Sequence, residues 1–270
     1  MPTAMITGCS TGIGRAAAKK FQAEGWNVVA TMRNPEPETE LTELDNTLVA
    51  ALDVTDPASI ESAVSAAGER FGGIDVLVNN AGYGAYGPLE STPREKIVRQ
   101  FDTNVIGLLD VTKALLPQFR QRGSGVIVNI SSMGGKVTMP LGALYHGTKF
   151  AVEGISEAMT YELAAIGTAM KIVEPGIIET DFSGRSMDIS VDPDHSEYQP
   201  VINALLSASS AEGRTSSPPE AVAEVIFTAA TDGTDQLRYI AGADAEQIIA
   251  MRASTDDATY LAGMRSNFGL

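Results

Sequence analysis

Cysteine is almost absent from this chain of 270 residues: Cys9 stands alone. No intrachain disulfide can form, and nothing points to an oxidising compartment. Histidine is nearly as scarce, with two residues. Two histidines and one cysteine offer no metal-ligand spacing, so no catalytic metal is expected. Positive charge is also in short supply: 19 Lys and Arg stand against 34 Asp and Glu, a net charge of −15. A surface of that sign repels nucleic acid and anionic lipid, which argues against both as partners while leaving room for a local basic pocket. Long apolar runs are missing, since no stretch approaches the roughly 20 residues that span a bilayer. Residues 1–6 lead straight into a strand and leave no room for a signal peptide, so the expected location is the cytoplasm.

What is present is an ordinary apolar content of 44% in a chain long enough to bury a large core, which suits one α/β domain over residues 1–270. β-Branched runs at 4–6, 27–31, 48–52, 76–79, 126–130, 171–174 and 239–241 read as strands. Helical patterns fall between them, at 13–24, 57–71, 95–120, 144–165 and 219–230. Runs such as Val76-Leu77-Val78 and Val126-Ile127-Val128 are apolar throughout rather than alternating, as expected of strands covered on both faces. The alternation predicts a doubly wound Rossmann fold: a seven-stranded, mostly parallel sheet with helices on both faces and right-handed crossovers. A ligand belongs at the carboxyl ends of its strands. Residues 183–217, rich in Ser, Asp and Pro, read as a substrate lid in preference to a plain surface excursion.

The first strand ends in Thr7-Gly8-Cys9-Ser10-Thr11-Gly12-Ile13-Gly14 and passes directly into a helix. Glycines allow positive φ and close backbone approach, and a helix N-terminus offers unpaired N–H groups, which together cradle a pyrophosphate. Gly8, Ser10, Thr11, Gly12, Ile13 and Gly14 are therefore candidate cofactor-binding residues. Dinucleotide folds that take NAD place an acid about 20 residues beyond the glycines, on the ribose 2′-hydroxyl. Met32 occupies that place here and Arg33 follows, able to pair with a 2′-phosphate. NADP is the expected cofactor and NAD the less favoured one, although Thr11 stands where a second basic residue would have strengthened the assignment.

A second constellation joins Ser131-Ser132 to Tyr145-His146-Gly147-Thr148-Lys149. Lys149 lies one helical turn beyond Tyr145 on the same face. A free phenol, with a pKa of about 10, carries protons poorly at neutral pH, and a nearby ammonium is expected to lower it. Ser132 ends a strand and can polarise a substrate oxygen beside the tyrosine. Ser131 is expected to point elsewhere, as a cap or filler. His146 points about 100° away from Tyr145 along the helix and is read as lying outside the site. Cys9 is read as a small buried filler.

These residues, with Asp53-Val54, Asn79-Asn80-Ala81-Gly82, Asn104 and Pro175-Gly176, closely resemble the motifs of the short-chain dehydrogenase/reductase family, in order and spacing over residues 7–180. The resemblance implies that Asn104, Ser132, Tyr145 and Lys149 form a catalytic tetrad, with Asn104 bending a helix and holding a water that links Lys149 to solvent. It implies that Asp53 meets the adenine with Val54 beside it, and that Asn80, Ala81 and Gly82 line the adenosine side. Pro175-Gly176 would pass under the nicotinamide and Thr180, after Ile178, would bind its carboxamide. It further implies the NADP-preferring subset, a small-molecule carbonyl or alcohol substrate, and a homodimer or homotetramer built on the helices near 107–121 and 148–165.

The leading function is therefore an NADP(H)-dependent oxidoreductase acting on a hydrophobic ketone, aldehyde or alcohol. A dinucleotide-sensing regulator and an epimerase or dehydratase on the same fold are the competing readings. Tyr83 and Tyr86 either line the substrate pocket or merely cover a strand end. Leu141, Leu144, Met133, Met139, Phe182 and Met187 are expected to give that pocket an apolar wall.

Overall fold

The computed structural model describes residues 1–180, 186–209 and 215–270. Phe182, with the parts of the expected lid at 183–185 and 210–214, lies outside the described residues.

The chain runs β1 (Thr3–Ile6), α1 (Gly12–Ala23), β2 (Asn27–Met32), β3 (Thr47–Ala51), α2 (Pro57–Phe71), β4 (Val76–Asn79), β5 (Gly84–Tyr86), α3 (Arg94–Phe101), a π-helical turn (Asp102–Ile106), α4 (Gly107–Arg122), β6 (Gly125–Ile130), a 3-10 turn (Met133–Gly135), α5 (Ala143–Ala164), β7 (Thr168–Pro175) and β8 (Met187–Ile189). After a short 3-10 turn come α6 (Gln199–Ser209), α7 (Pro219–Thr231), β9 (Arg238–Ala241), α8 (Ala243–Ser254) and α9 (Asp257–Phe268). The main sheet has the order β3-β2-β1-β4-β6-β7-β9, and every pairing in it is parallel, as the seven-stranded doubly wound reading expects.

The unbroken apolar runs have a direct cause. Within β1 and β4, Ala4, Ile6, Val76 and Val78 face a core shared with α1 and α7, while Met5 and Leu77 between them face a second core. That second core is completed by Ile60 and Ala63 of α2, Leu115 and Phe119 of α4, and Leu163 of α5. Each fully buried Leu, Ile or Phe contributes about 1.5–3 kcal/mol relative to exposure, so both faces must be covered. The helices start and stop on local signals. Asp56 caps α2 by accepting from the Ala58 N–H at 3.0 Å, Pro57 opens the helix, and Gly72 closes it at φ +81°.

Strand order reverses between β1 and β4, and the two strand ends are stitched across that point. The Thr7 hydroxyl accepts from the Asn80 and Ala81 N–H groups at 3.0 and 2.9 Å, and the Asn80 amide donates to the Thr7 carbonyl at 2.8 Å. This is the topological switch point where open α/β sheets bind ligands. The run expected as one helix over 95–120 is interrupted by the π turn, which places Asn104 at the bend. The three-residue strands β5 and β8 form a separate parallel pair, Gly84 opposite Met187, that carries residues 187–189 over the end of the cleft. Helices α8 and α9 pack on the 133–139 segment through Ala245, Tyr260 and Met264. Among the described residues no helix is long and apolar enough to cross a membrane.

Candidate active site

A cleft of 870 Å³ opens at the switch point, within the size range of small-molecule sites. Gly8, Ser10, Thr11, Gly12, Ile13, Arg33, Asp53, Val54, Asn80, Ala81 and Gly82 form one end of its wall. Ser132, Tyr145, Lys149, Pro175, Gly176 and Ile178 form the other, and Thr180 lines the cleft beside Gly12. The positions marked out in the sequence thus converge, with two exceptions. Gly14 is not on the wall: a Cβ there would run into the Gly8 carbonyl and the Asn80 amide, so its job is close packing of α1 against the sheet. Asn104 is buried directly behind the wall, against Gly82 and Tyr83. Its carbonyl oxygen accepts from the Tyr83 N–H at 3.0 Å, and its amide donates to the Tyr83 carbonyl and the Thr148 hydroxyl at 2.8 and 3.1 Å.

At the nucleotide end, Gly8 and Gly12 sit at φ +75° and +57°, and a Cβ on Gly12 would press on Thr180. The shape left open by missing side chains, beside the uncapped N-terminus of α1, fits a dinucleotide pyrophosphate. Arg33 is exposed at the cleft edge and the described residues supply no acid in the place that NAD-binding folds use. Arg15, the other cation nearby, is committed: it donates to the Ser10 carbonyl at 3.2 Å and pairs with Glu38 and with Glu40. Asp53 accepts from the Thr55 N–H and hydroxyl, which fixes its carboxylate against the wall.

At the other end, Tyr145 stacks on Tyr86 with ring centroids 5.6 Å apart, which puts Tyr86 in the pocket wall together with Tyr83. Burial pushes the Tyr145 phenol above its ordinary range, and a hydrogen bond with Ser132 acts against that shift. The expectation of a lowered phenol is corrected here. The lysine shares Tyr145's helix face, but its amine turns to the Ile130 carbonyl at 2.8 Å and lies 5.8 Å from the centre of the phenol ring. Lys149 is itself pushed down to about 8 by burial, with the Glu153 carboxylate working the other way.

Ser132, rather than Ser131, is the cap: its hydroxyl accepts from the Gly134 N–H at 2.9 Å and so holds the 3-10 turn. His146 borders the cleft but is fully engaged. Its Nδ1 meets the Gly134 carbonyl at 2.9 Å, while Nε2 accepts from the Met139 N–H at 3.0 Å. That pair of bonds requires the neutral imidazole protonated on Nδ1, and burial also lowers its pKa, so His146 is a brace for residues 134–139 and not a base. Cys9 is buried, with its thiol pushed up to about 12, as suits a filler. Met133, Met139 and Met187 line the cleft, whereas Leu141 and Leu144 do not. Among the described residues no cluster of His, Cys, Asp or Glu could hold a metal.

Asp244 was not legible as a site residue. From the start of α8 its carboxylate accepts from the Ile177 N–H at 2.7 Å, and a Cβ on Gly176 would collide with it. The C-terminal helices thereby fix the Pro175–Ile178 wall, a contact spanning 67 residues that no local pattern reports.

The chain matches the family model described as short chain dehydrogenase over residues 2–188. It is 46% identical over 239 residues to an uncharacterised oxidoreductase of Schizosaccharomyces pombe, covering 88% of this chain and 100% of that one. A crystallised short-chain dehydrogenase from Streptomyces avermitilis superimposes with a TM-score of 0.84 at 32% identity, covering 100% of this chain and 99% of that one. ElxO, solved with NADP bound, superimposes with a TM-score of 0.72 at 27% identity over 88% of this chain and 97% of its own.

Proposed function

The chain belongs to the short-chain dehydrogenase family, and on that premise we propose that it is an NADP(H)-dependent enzyme interconverting a hydrophobic ketone or aldehyde with its alcohol. Membership makes it an NAD(P)-dependent dehydrogenase or reductase of a small molecule. The observation that carries the finer reading is the convergence of Ser132, Tyr145 and Lys149 on one end of a cleft whose other end holds the glycine loop and Arg33.

The nicotinamide, when bound, supplies or accepts the hydride. The chain's own residues handle the oxygen. Ser132 donates a hydrogen bond to the substrate oxygen and draws electron density toward it. Tyr145 delivers the proton to that oxygen during reduction and removes it during oxidation. Lys149, held by the Ile130 carbonyl, serves ribose hydroxyls with its buried ammonium. Asn104 acts through the π turn, holding Tyr83 against the pocket and Thr148 beside the tyrosine's turn of helix. Gly8, Ser10, Thr11, Gly12 and Ile13 hold the pyrophosphate, Asp53 and Val54 the adenine, and Thr180 the carboxamide.

Residues 186–209 act as part of a lid over this end. Lys96 of α3 pairs with Asp188 at 2.6 Å, and His195 meets the Ser91 hydroxyl at 2.9 Å, so that, besides the β5–β8 pairing, side chains tie the segment to residues 91–96. Exposed Ile106, at the end of the π turn that leads into α4, with Phe150 and Tyr161 of α5, supports an oligomer formed across α4 and α5.

The cofactor assignment is tested by fluorescence titration with NADPH and NADH. Wild type is expected to bind NADPH more tightly, and Arg33→Ala to lose about 1.5–3 kcal/mol of that preference, the strength of a charged hydrogen bond. Tight NADH binding indifferent to Arg33 would overturn the NADP(H) reading while leaving Tyr145 chemistry intact.

A further inference from the structure

One turn below Lys149 on the same face of α5, Glu153 is buried, and Arg238 meets both it and the buried Glu174 of β7. Glu153 lies beneath the turn that carries Ser132: a Cβ on Gly135 would meet its side chain, the Ser131 hydroxyl and the Lys149 carbonyl. One cation serves the two acids directly. Arg238 of β9 donates to Glu153 Oε2 at 3.0 Å, stands 3.5 Å from Glu174 Oε1, and spends its other arm on exposed Glu157 at 2.5 Å. Lys136 is farther, 3.9 Å from Glu153. Among the described residues, Glu153 Oε1, Glu174 Oε1 and the Ser131 hydroxyl find no hydrogen-bond partner.

Two buried carboxylates gathered on one guanidinium cannot both ionise without large cost, and their unpartnered oxygens lack a donor. A single proton meets both demands. We propose that Glu153 and Glu174 are a positioning pair that shares one proton and supplies the buried negative charge holding Lys149 as a cation. The groups facing the pair are Lys149 and Glu157 on α5, Lys136 after the 3-10 turn, and Arg238 on β9, with Arg252 of α8 across the adjoining cavity. Of these, Glu153 is the carboxylate that raises Lys149 against the effect of burial. Burial and the Glu153 charge push Glu174 up, to about 7, which makes it the member that holds the proton at mildly acid pH.

The sign follows. Removing the Glu153 charge makes the Lys149 cation less favourable, so its midpoint falls and the lysine becomes neutral earlier as pH rises. The inference rests on the catalytic role proposed for Lys149, but its test does not. Protein labelled with ¹³C at lysine Cε and glutamate Cδ is titrated by NMR without substrate or cofactor, with Lys149→Met to assign the lysine signal. Wild-type Lys149 is expected to titrate near 8 and one glutamate near neutrality. In Glu153→Gln the lysine midpoint is expected to drop by about one pH unit. In Glu174→Gln the near-neutral glutamate signal is expected to vanish while Lys149 moves less. An unmoved Lys149 in Glu153→Gln overturns the proposal, as does a wild type whose glutamates all titrate in the ordinary carboxylate range. If Glu153→Gln does not fold, the wild-type and Glu174→Gln glutamate titrations still decide it.

Discussion

Tyr145→Phe is expected to lower kcat by about 10²–10⁴-fold while leaving the NADPH dissociation constant within a factor of about two, because a positioned proton donor contributes that much and the ring is kept. The structure explains why the effect should fall on kcat. The ring packs by stacking on Tyr86 at 5.6 Å and against His146 at 5.7 Å, and phenylalanine retains both contacts. What is lost is the hydroxyl that hydrogen-bonds Ser132. Ser132 keeps its own bond from the Gly134 N–H, so the turn that carries it holds. Neither neighbouring base substitutes: both nitrogens of His146 are occupied, and Lys149 is turned to the Ile130 carbonyl. Stopped-flow turnover with a fluorescence titration of NADPH separates the two effects. A variant with near wild-type kcat would remove Tyr145 from proton transfer, and one that bound no NADPH would show that the ring supports the nucleotide site.

The parts of this site legible in the sequence are those built from neighbours in the chain. The glycine loop follows directly from β1 and opens α1, and Tyr145 and Lys149 share one turn of α5, so spacing alone brings each set together. The hydrophobic runs announced the buried sheet because two cores press on the same strands from opposite sides. Other features depend on contacts between distant residues. Asp244 reaches the Ile177 N–H from the far end of the chain, and the Glu153–Glu174–Arg238 cluster joins α5, β7 and β9. Strands β5 and β8 are three residues each, too short for an alternation to register. Spacing also misled on one point: sharing a helix face told where the Lys149 backbone lies, not that its amine would turn toward Ile130 and leave burial to govern the phenol. The same limit applied to Gly14, whose place in the glycine pattern suggested nucleotide contact when its contact is with Gly8 and Asn80.

Gly14→Ala carries the other large expected effect, and it follows from that contact. A Cβ at residue 14 would overlap the Gly8 carbonyl oxygen and the Asn80 side-chain nitrogen. Neither neighbour is free to yield. Gly8 is held at φ +75° between β1 and α1, and the Asn80 amide is pinned by its bonds to the Thr7 and Gly8 carbonyls at 2.8 and 3.2 Å. The methyl group therefore pushes α1 outward or breaks the stitch between β1 and β4. Overpacking of this kind costs about 1–3 kcal/mol, or roughly 2–12 °C in Tm for a domain of this size. Because Gly8 and Asn80 both line the cleft, the displacement also reshapes the nucleotide end, and NADPH binding is expected to weaken by at least about tenfold, the equivalent of 1.4 kcal/mol. Gly68→Ala is the matched control: it lies within α2, and a Cβ there meets nothing within 4 Å. Alanine at that position is expected to raise stability by up to about 1 kcal/mol through helix propensity alone, with NADPH affinity unchanged. Calorimetric melting and NADPH titration of both variants make the comparison. If Gly14→Ala melted and bound NADPH like wild type, the close approach of α1 to the switch point would not be what shapes the nucleotide cradle.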